Sequence, residues 1–157
     1  MIALTLSLLI LTSLSAVYLA TQHSQQTQTA IITLIENSRI AKSFLKSALK
    51  NHPLENNKLG INYYFIEKTN RKDTVGAAIY ALYYQDTTSK PFKKIELVEG
   101  INEMKIKYTV LENHQLVEYP ADQITESSKV RAVSIKLLFS SLNQAHLKKS
   151  EYLYVAL

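Results

Sequence analysis

Hydrophobic and polar positions divide the chain into three stretches with three different periods. From Met1 to Ala20 there is no period: in MIALTLSLLILTSLSAVYLA every residue is apolar or carries a Ser, Thr or Tyr hydroxyl. From Ile31 onward a helical period sets in. Ile31, Leu34, Ile35, Ala41, Phe44, Leu45, Ala48 and Leu49 recur at spacings of three and four, which lines them along one helix face. Glu36, Asn37, Arg39, Lys42, Lys46 and Lys50 fall mostly on the other side. Beyond Pro53 the period drops to two, the mark of strands.

The first two stretches read as one element. No Gly or Pro interrupts Met1 to His52, and Pro53 is a natural stop. The prediction is a single helix of about 50 residues, near 75 Å long. Its half over 1–20 is greasy all round, and its half over 21–52 is amphipathic. About 20 apolar residues suffice to cross a hydrocarbon core. Thr5, Ser7, Thr12, Ser13 and Ser15 cost little there, because a helical hydroxyl can bond a carbonyl one turn back. Met1, Ala3, Leu4, Leu8, Leu11 and Leu14 are the candidate lipid- or helix-packing positions, with Tyr18 at the interface. The neutral patch TQHSQQTQT that follows is a place where the helix could loosen, though its composition does not require it.

Strands are predicted at INYYFIE (61–67), AAIYALYYQ (77–85), around Met104–Val110, around Val133–Phe139 and at 152–157. Met104, Ile106, Tyr108 and Val110 alternate with Lys105, Lys107 and Thr109, which puts the lysines outward. DTTSKP and ADQITESSK read as turns or loops. The fold class is therefore α+β: a long N-terminal helix whose amphipathic half packs on an antiparallel sheet formed by 53–157. Ile31, Leu34, Ile35, Ala41, Phe44, Leu45 and Leu49 are the expected packing residues.

Charge sharpens this division. No Lys, Arg, Asp or Glu precedes Glu36, so all 18 basic and 13 acidic residues lie in the later part. A cleaved secretion signal would open with basic residues and have a shorter apolar core. A plain anchor has no need of a seamless amphipathic continuation. The net charge of +5 reads as a solvated surface. With no cysteine, disulfide frameworks, Cys-based zinc sites and thiol chemistry are excluded.

Little else points to chemistry. His23, His52, His114 and His146 stand far apart, Asp occurs only at 73, 86 and 122, and no nucleotide, protease or hydrolase motif is present. No catalytic, cofactor or metal residues are assigned, and a non-enzymatic role is expected. Tyr63, Tyr64, Tyr80, Tyr83 and Tyr84, near Lys68, Arg71 and Lys93, raise the option of a stacking platform for nucleic acid. Filling a half-buried sheet is the preferred reading for them. Gly100 reads as a turn or bulge needing positive φ or close backbone approach. Glu36 and Arg39 read as an intrahelical pair, or as contacts with a neighbouring subunit.

Five segments resemble one family, the PilW-type minor pilins of the type IV pilus system. MIALTLSLLILTSLSAVYLA is similar to the stretch just after that family's processing site. ENSRIAKSFLKSALK resembles its E-N-x-R-x-A-x-x-x-L pattern at Glu36, Asn37, Arg39, Ala41 and Leu45. LVEGINEMKIKY resembles L-V-E-G-V-x-x-M-x-x-x-Y at Leu97, Glu99, Gly100, Met104 and Tyr108. KVRAVSIKLLFSS and YLYVAL are similar to the family's last two strands. The basic leader, cleavage-site glycine and following acidic residue of the family do not precede these segments, so an internal methionine assigned as the start is expected. The resemblance implies a pilin-like fold and an inner-membrane, single-pass protein with a periplasmic head. It also implies partners: inner-membrane lipid before assembly, then other minor pilins and the major pilin in a piliated, twitching cell. A type II secretion pseudopilin, or a single-pass anchored binding protein that never polymerises, are the alternatives.

Overall fold

The structure is a computed structural model, and it describes residues 2–51, 63–86, 91–112, 115–120, 123, 130–144 and 146–157. One helix, α1 (Ile2–Asn51), is followed by seven strands: β1 (Tyr64–Lys72), β2 (Ala78–Asp86), β3 (Lys93–Glu99), β4 (Ile101–Glu112), β5 (Gln115–Pro120), β6 (Val130–Ser140) and β7 (Lys148–Ala156). The helix expected over Met1–His52 is present over its described length. It runs unbroken through the Gln/Thr/Ser patch, where Thr21, Thr27 and Thr29 donate to the carbonyls of Val17, His23 and Gln25 at 2.8–3.0 Å. Thr12, Ser13 and Ser15 do the same in the apolar half, donating to Leu8, Leu9 and Leu11. His52 and Pro53 lie outside the described residues, as do Met1, His114 and Asp122.

The head is antiparallel throughout but contains two sheets where the periodicity suggested one. β1-β2-β3 form a three-stranded sheet, and β5-β4-β6-β7 a four-stranded one. The chain passes from one to the other at Gly100, with φ +79°. Its N–H donates to Tyr80 O in the first sheet at 2.8 Å, and its carbonyl accepts from Ser140 N in the second at 2.9 Å. A Cβ at this position would stand 2.9 Å from Ser140 O. Both halves of the expectation for Gly100 therefore hold, positive φ and close approach.

The core lies between the helix and the two sheets. Leu34, Ala41, Leu45 and Leu49 meet Leu82 and Val98 of the first sheet and Ile101, Tyr108, Val133, Ile135, Leu137, Phe139 and Val155 of the second. Met104 and Leu97 pack against its margin. The alternation predicted in β6 is observed: Val133, Ile135, Leu137 and Phe139 are all fully buried, and the residues between them face outward.

Candidate functional site

The most unusual feature of the molecule is the helix surface that the head leaves bare. Leu6, Leu8, Leu9, Ile10, Leu11, Leu14, Val17 and Leu19 are each 55–66% exposed, and Tyr18 is exposed beside them. Ala3 is exposed too, while Met1 and the side chain of Leu4 lie outside what is described. Eight aliphatic side chains in water forgo roughly 10–25 kcal/mol of burial energy. That is as large as the whole stability of an ordinary domain, and burial of this surface in lipid or against protein would recover it. The helix is long and apolar enough to cross a membrane once.

Three of the expected head-packing residues are corrected here. Leu34, Ala41, Leu45 and Leu49 are buried, but Ile31, Ile35 and Phe44 are 40–49% exposed. The buried seam runs instead through Ala30, Leu34, Ser38, Ala41, Leu45, Ala48 and Leu49. At 100° per residue, Ile35 and Phe44 fall about 90° to either side of that line. Ile31 sits at its N-terminal end, where the head covers only Ala30 and Leu34. Four of these seven residues are Ala or Ser, so the sheets can approach close to the helix backbone and cover a narrow arc. Ala30 and Ser38, small or polar, leave little mark in a hydrophobic pattern although both are buried. Ser38 is admitted to the core because its hydroxyl donates to Ile35 O at 2.8 Å.

Polar contacts fix the helix along this seam. Asn37 Nδ2 donates to Glu99 O at 3.0 Å, immediately before the sheet-switching Gly100. The resemblance motifs at Asn37 and at Glu99–Gly100, 62 residues apart in sequence, thus meet in space. Glu99 is further held by Arg71 at 2.9 Å, which also pairs with Glu96. Lower on the helix, Lys42 Nζ lies 2.8 Å from Glu151 of β7, and Lys149 lies 2.7 Å from the same carboxylate. The hydrogen bonds from Lys149 and then Lys42 hold the Glu151 carboxyl below its usual range. Higher up, Gln144 Nε2 donates to Thr27 Oγ1 at 3.1 Å. The three contacts that tie the helix to the head, Asn37–Glu99, Lys42–Glu151 and Thr27–Gln144, were not legible in the sequence, because each joins residues more than 60 positions apart.

Glu36 and Arg39 do not form the expected intrahelical pair. Both are exposed, and no ion pair joins either of them to another described residue. Tyr108 is buried, and desolvation pushes its hydroxyl up to about 12.

The tyrosine cluster of the first sheet behaves as sheet filling. Tyr64 and Tyr84 pack ring to ring at 5.2 Å, Tyr83 stacks on Phe65 at 5.9 Å, and the Tyr83 hydroxyl donates to Glu96. Two of the cations near it are paired within the sheet, Arg71 with Glu96 and Glu99 and Lys94 with Glu67. Tyr63 is half-buried and Tyr80 exposed. A cleft of about 600 Å³ between the helix and the β6–β7 turn is lined by neutral amides and hydroxyls, among them Gln22, Gln25, Thr74 and Gln144. Among the described residues no group of three His, Asp or Glu side chains is placed to hold a metal, and His23 and His146 are both exposed and far apart in sequence.

The chain matches no protein-family model, no curated protein and no solved structure. What stands is an α+β protein whose N-terminal helix is half seated on antiparallel sheets and half bare, apolar and long enough to span a membrane.

Proposed function

We propose that the chain is a minor pilin of the PilW type, acting in type IV pilus assembly without catalysis. The observation that carries this reading is the undivided helix. A span that served only as an anchor would need no rigid connection to the head, yet α1 continues without a break from bare apolar surface into the buried seam. In that role the bare half sits in the inner membrane before assembly, with the head in the periplasm. It then exchanges lipid for the helices of other minor pilins and the major pilin. Lipid tails are as apolar as leucine, so shape fit and matched polar groups decide that exchange. Glu36 and Arg39, which form no ion pair among the described residues, would supply such groups across the subunit boundary.

Because the chain has no cysteine, Leu11→Cys introduces a unique thiol on the bare face. Crosslinking in piliated cells should give adducts with pilin helices carrying a matching cysteine. Adducts with secretion-system pseudopilins alone would move the protein to a type II secretion system. If the membrane-inserted variant yields no adduct, and deleting the gene leaves pili and twitching normal, the protein is a non-polymerising anchor and the proposal fails.

A further inference from the structure

The outer face of the four-stranded sheet carries a pattern that the helix and core do not use. Strand alternation places Tyr152 and Tyr154 of β7 on that face, opposite the side of Val155, which is buried in the core. Their rings are 69% and 64% exposed, more than those of the first-sheet tyrosines. Each ring begins a row across the sheet. Tyr152 is register partner of Lys136 on β6, which faces Lys105 on β4. Tyr154 is partner of Ser134, which faces Lys107. The two rows are equivalent: an exposed ring at the sheet edge, a polar residue beside it, and a lysine two strands inward.

The dimensions of these rows select a ligand. Within a row, ring and β4 lysine are separated by two strand spacings, about 9.6 Å, which a base and its phosphate span with help from a flexible lysine stem. Between rows, the rings are two residues apart along one strand, about 6.8 Å. Stacked bases in a duplex rise only about 3.4 Å, so both rings are served only by a strand whose bases are unstacked and splayed. The lysines are available for exchange. Lys105 and Lys107 pair with Glu103 and Glu118 at 2.6 and 3.2 Å, but all four side chains are 41–66% exposed. Such pairs hold weakly and yield to a phosphate. Lys136 lies 5.7 Å above the Tyr152 ring and, among the described residues, forms no close ion pair. Its charge does reach the Glu103 carboxylate, which the hydrogen bond from Lys105 and then the charges of Lys105 and Lys136 hold below its usual range. A shallow cleft of about 470 Å³ joins Lys105, Lys107, Ser134, Lys136 and Tyr152, with Ile135 and the carboxylate of Glu118, the partner of Lys107, also in its lining. Lys148 stands on the same face at the end of β7. The sum of charge on the face is positive, the complement of a polyphosphate chain.

We infer that this face binds single-stranded nucleic acid, with successive bases stacked on Tyr152 and Tyr154 and the backbone held by Lys136, Lys105 and Lys107. A four-stranded antiparallel sheet with exposed aromatics on one face is a geometry that supports base stacking without sequence choice. The inference does not rest on the assembly role, since it uses neither the helix nor its partners.

The test is fluorescence anisotropy with the full chain in nonionic detergent, a labelled 12-nucleotide oligothymidylate, and a sodium chloride series. Binding should appear at low salt and weaken with a log–log slope of about −2, which is three phosphate contacts at about −0.7 each. Tyr152→Ser combined with Tyr154→Ser should weaken binding at least tenfold and leave the slope unchanged. Lys136→Gln should make the slope shallower by about 0.7. Circular dichroism checks that each variant keeps its fold, and all three side chains are on the surface. Absence of binding at low salt overturns the inference. So does equal affinity for a duplex of the same length. If heparin binds as tightly and the tyrosine variant behaves like wild type, the face is a general polyanion or protein surface and the stacking role is wrong.

Discussion

Gly100→Ala isolates what the junction between the two sheets costs to build. Two penalties apply at this site. An alanine at φ +79° enters the left-handed region at roughly 1–2 kcal/mol. Its Cβ would also stand 2.9 Å from Ser140 O, a backbone atom that cannot swing aside as a side-chain tip can. Moving that peptide loosens the neighbouring Ser140 N–H bond to Gly100 O, worth about 0.5–1.5 kcal/mol. The expected loss is about 2–3 kcal/mol. Gly76 supplies an internal control. It has φ +85° but no atom within 4 Å of a built Cβ, so Gly76→Ala should cost only the strain, about 1–2 kcal/mol. Any gain from stiffening the unfolded chain is common to both and cancels. Urea unfolding in detergent, followed by near-ultraviolet circular dichroism of the tyrosines, reads the head without interference from the long helix. Losses for the two variants that agree within about 0.5 kcal/mol would show that the close approach at Gly100 carries no energy, and the account of the junction would be wrong.

Three further outcomes follow from the same packing and titration. Leu45→Ala should destabilise the head by about 2–5 kcal/mol in the same urea assay, while Phe44→Ala, 40% exposed, should change it by less than about 1 kcal/mol. Glu151 has its carboxyl depressed by Lys149 and Lys42, so its contribution is present above the ordinary glutamate value and is lost as pH falls below about 4.3. Glu151→Gln should therefore lower stability at pH 7 by about 0.5–1 kcal/mol, after allowance for solvent screening, and flatten the acid limb of a melting-temperature series. Tyr108 is raised to about 12, so above about pH 10 the unfolded chain ionises it and the folded protein does not. Stability contributed there is intact below pH 10 and falls between pH 10 and 12, by up to about 2.7 kcal/mol; Tyr108→Phe should remove that portion of the alkaline loss.

What the sequence revealed depended on how many residues of each element are buried on one side. The helix over Ile2–Asn51 was legible because 50 residues carry no breaker and the last 20 repeat at helical spacing. β4 and β6 were legible because a buried face gives a strand its period of two. β3 and β5 carry no such period. In β3 only Val98 is buried, and in β5 no residue is, so backbone pairing with β2 and β4 holds them and leaves no mark in the hydrophobic pattern. The same reason hid the division into two sheets. That division is made by one glycine and two backbone hydrogen bonds, at a position the pattern could name only as a turn or bulge.

The error on the helix is the more informative one, because of what it leaves exposed. Ile31, Ile32 and Ile35 on one side of the seam, and Ile40 and Phe44 on the other, are 40–55% exposed and continue the bare half to the level of the head. A helix that had only to carry the head would keep bulky apolar groups for the seam and place polar residues elsewhere. Here four of the seven seam residues are Ala or Ser, and large side chains are left facing outward on both sides of the seam. Close approach at a small-residue seam narrows the arc the head covers, which is what keeps those flanks open. The proposed assembly role gives both facts one cause: the head takes the least helix surface that will hold it, fixed by Asn37, Lys42 and Thr27, and leaves the remainder for neighbouring helices. Replacing Ala41 by a larger residue would then act at a distance. By lifting the head from the helix, it would disturb the flanks on which the neighbours are proposed to pack, even though its own side chain touches none of them.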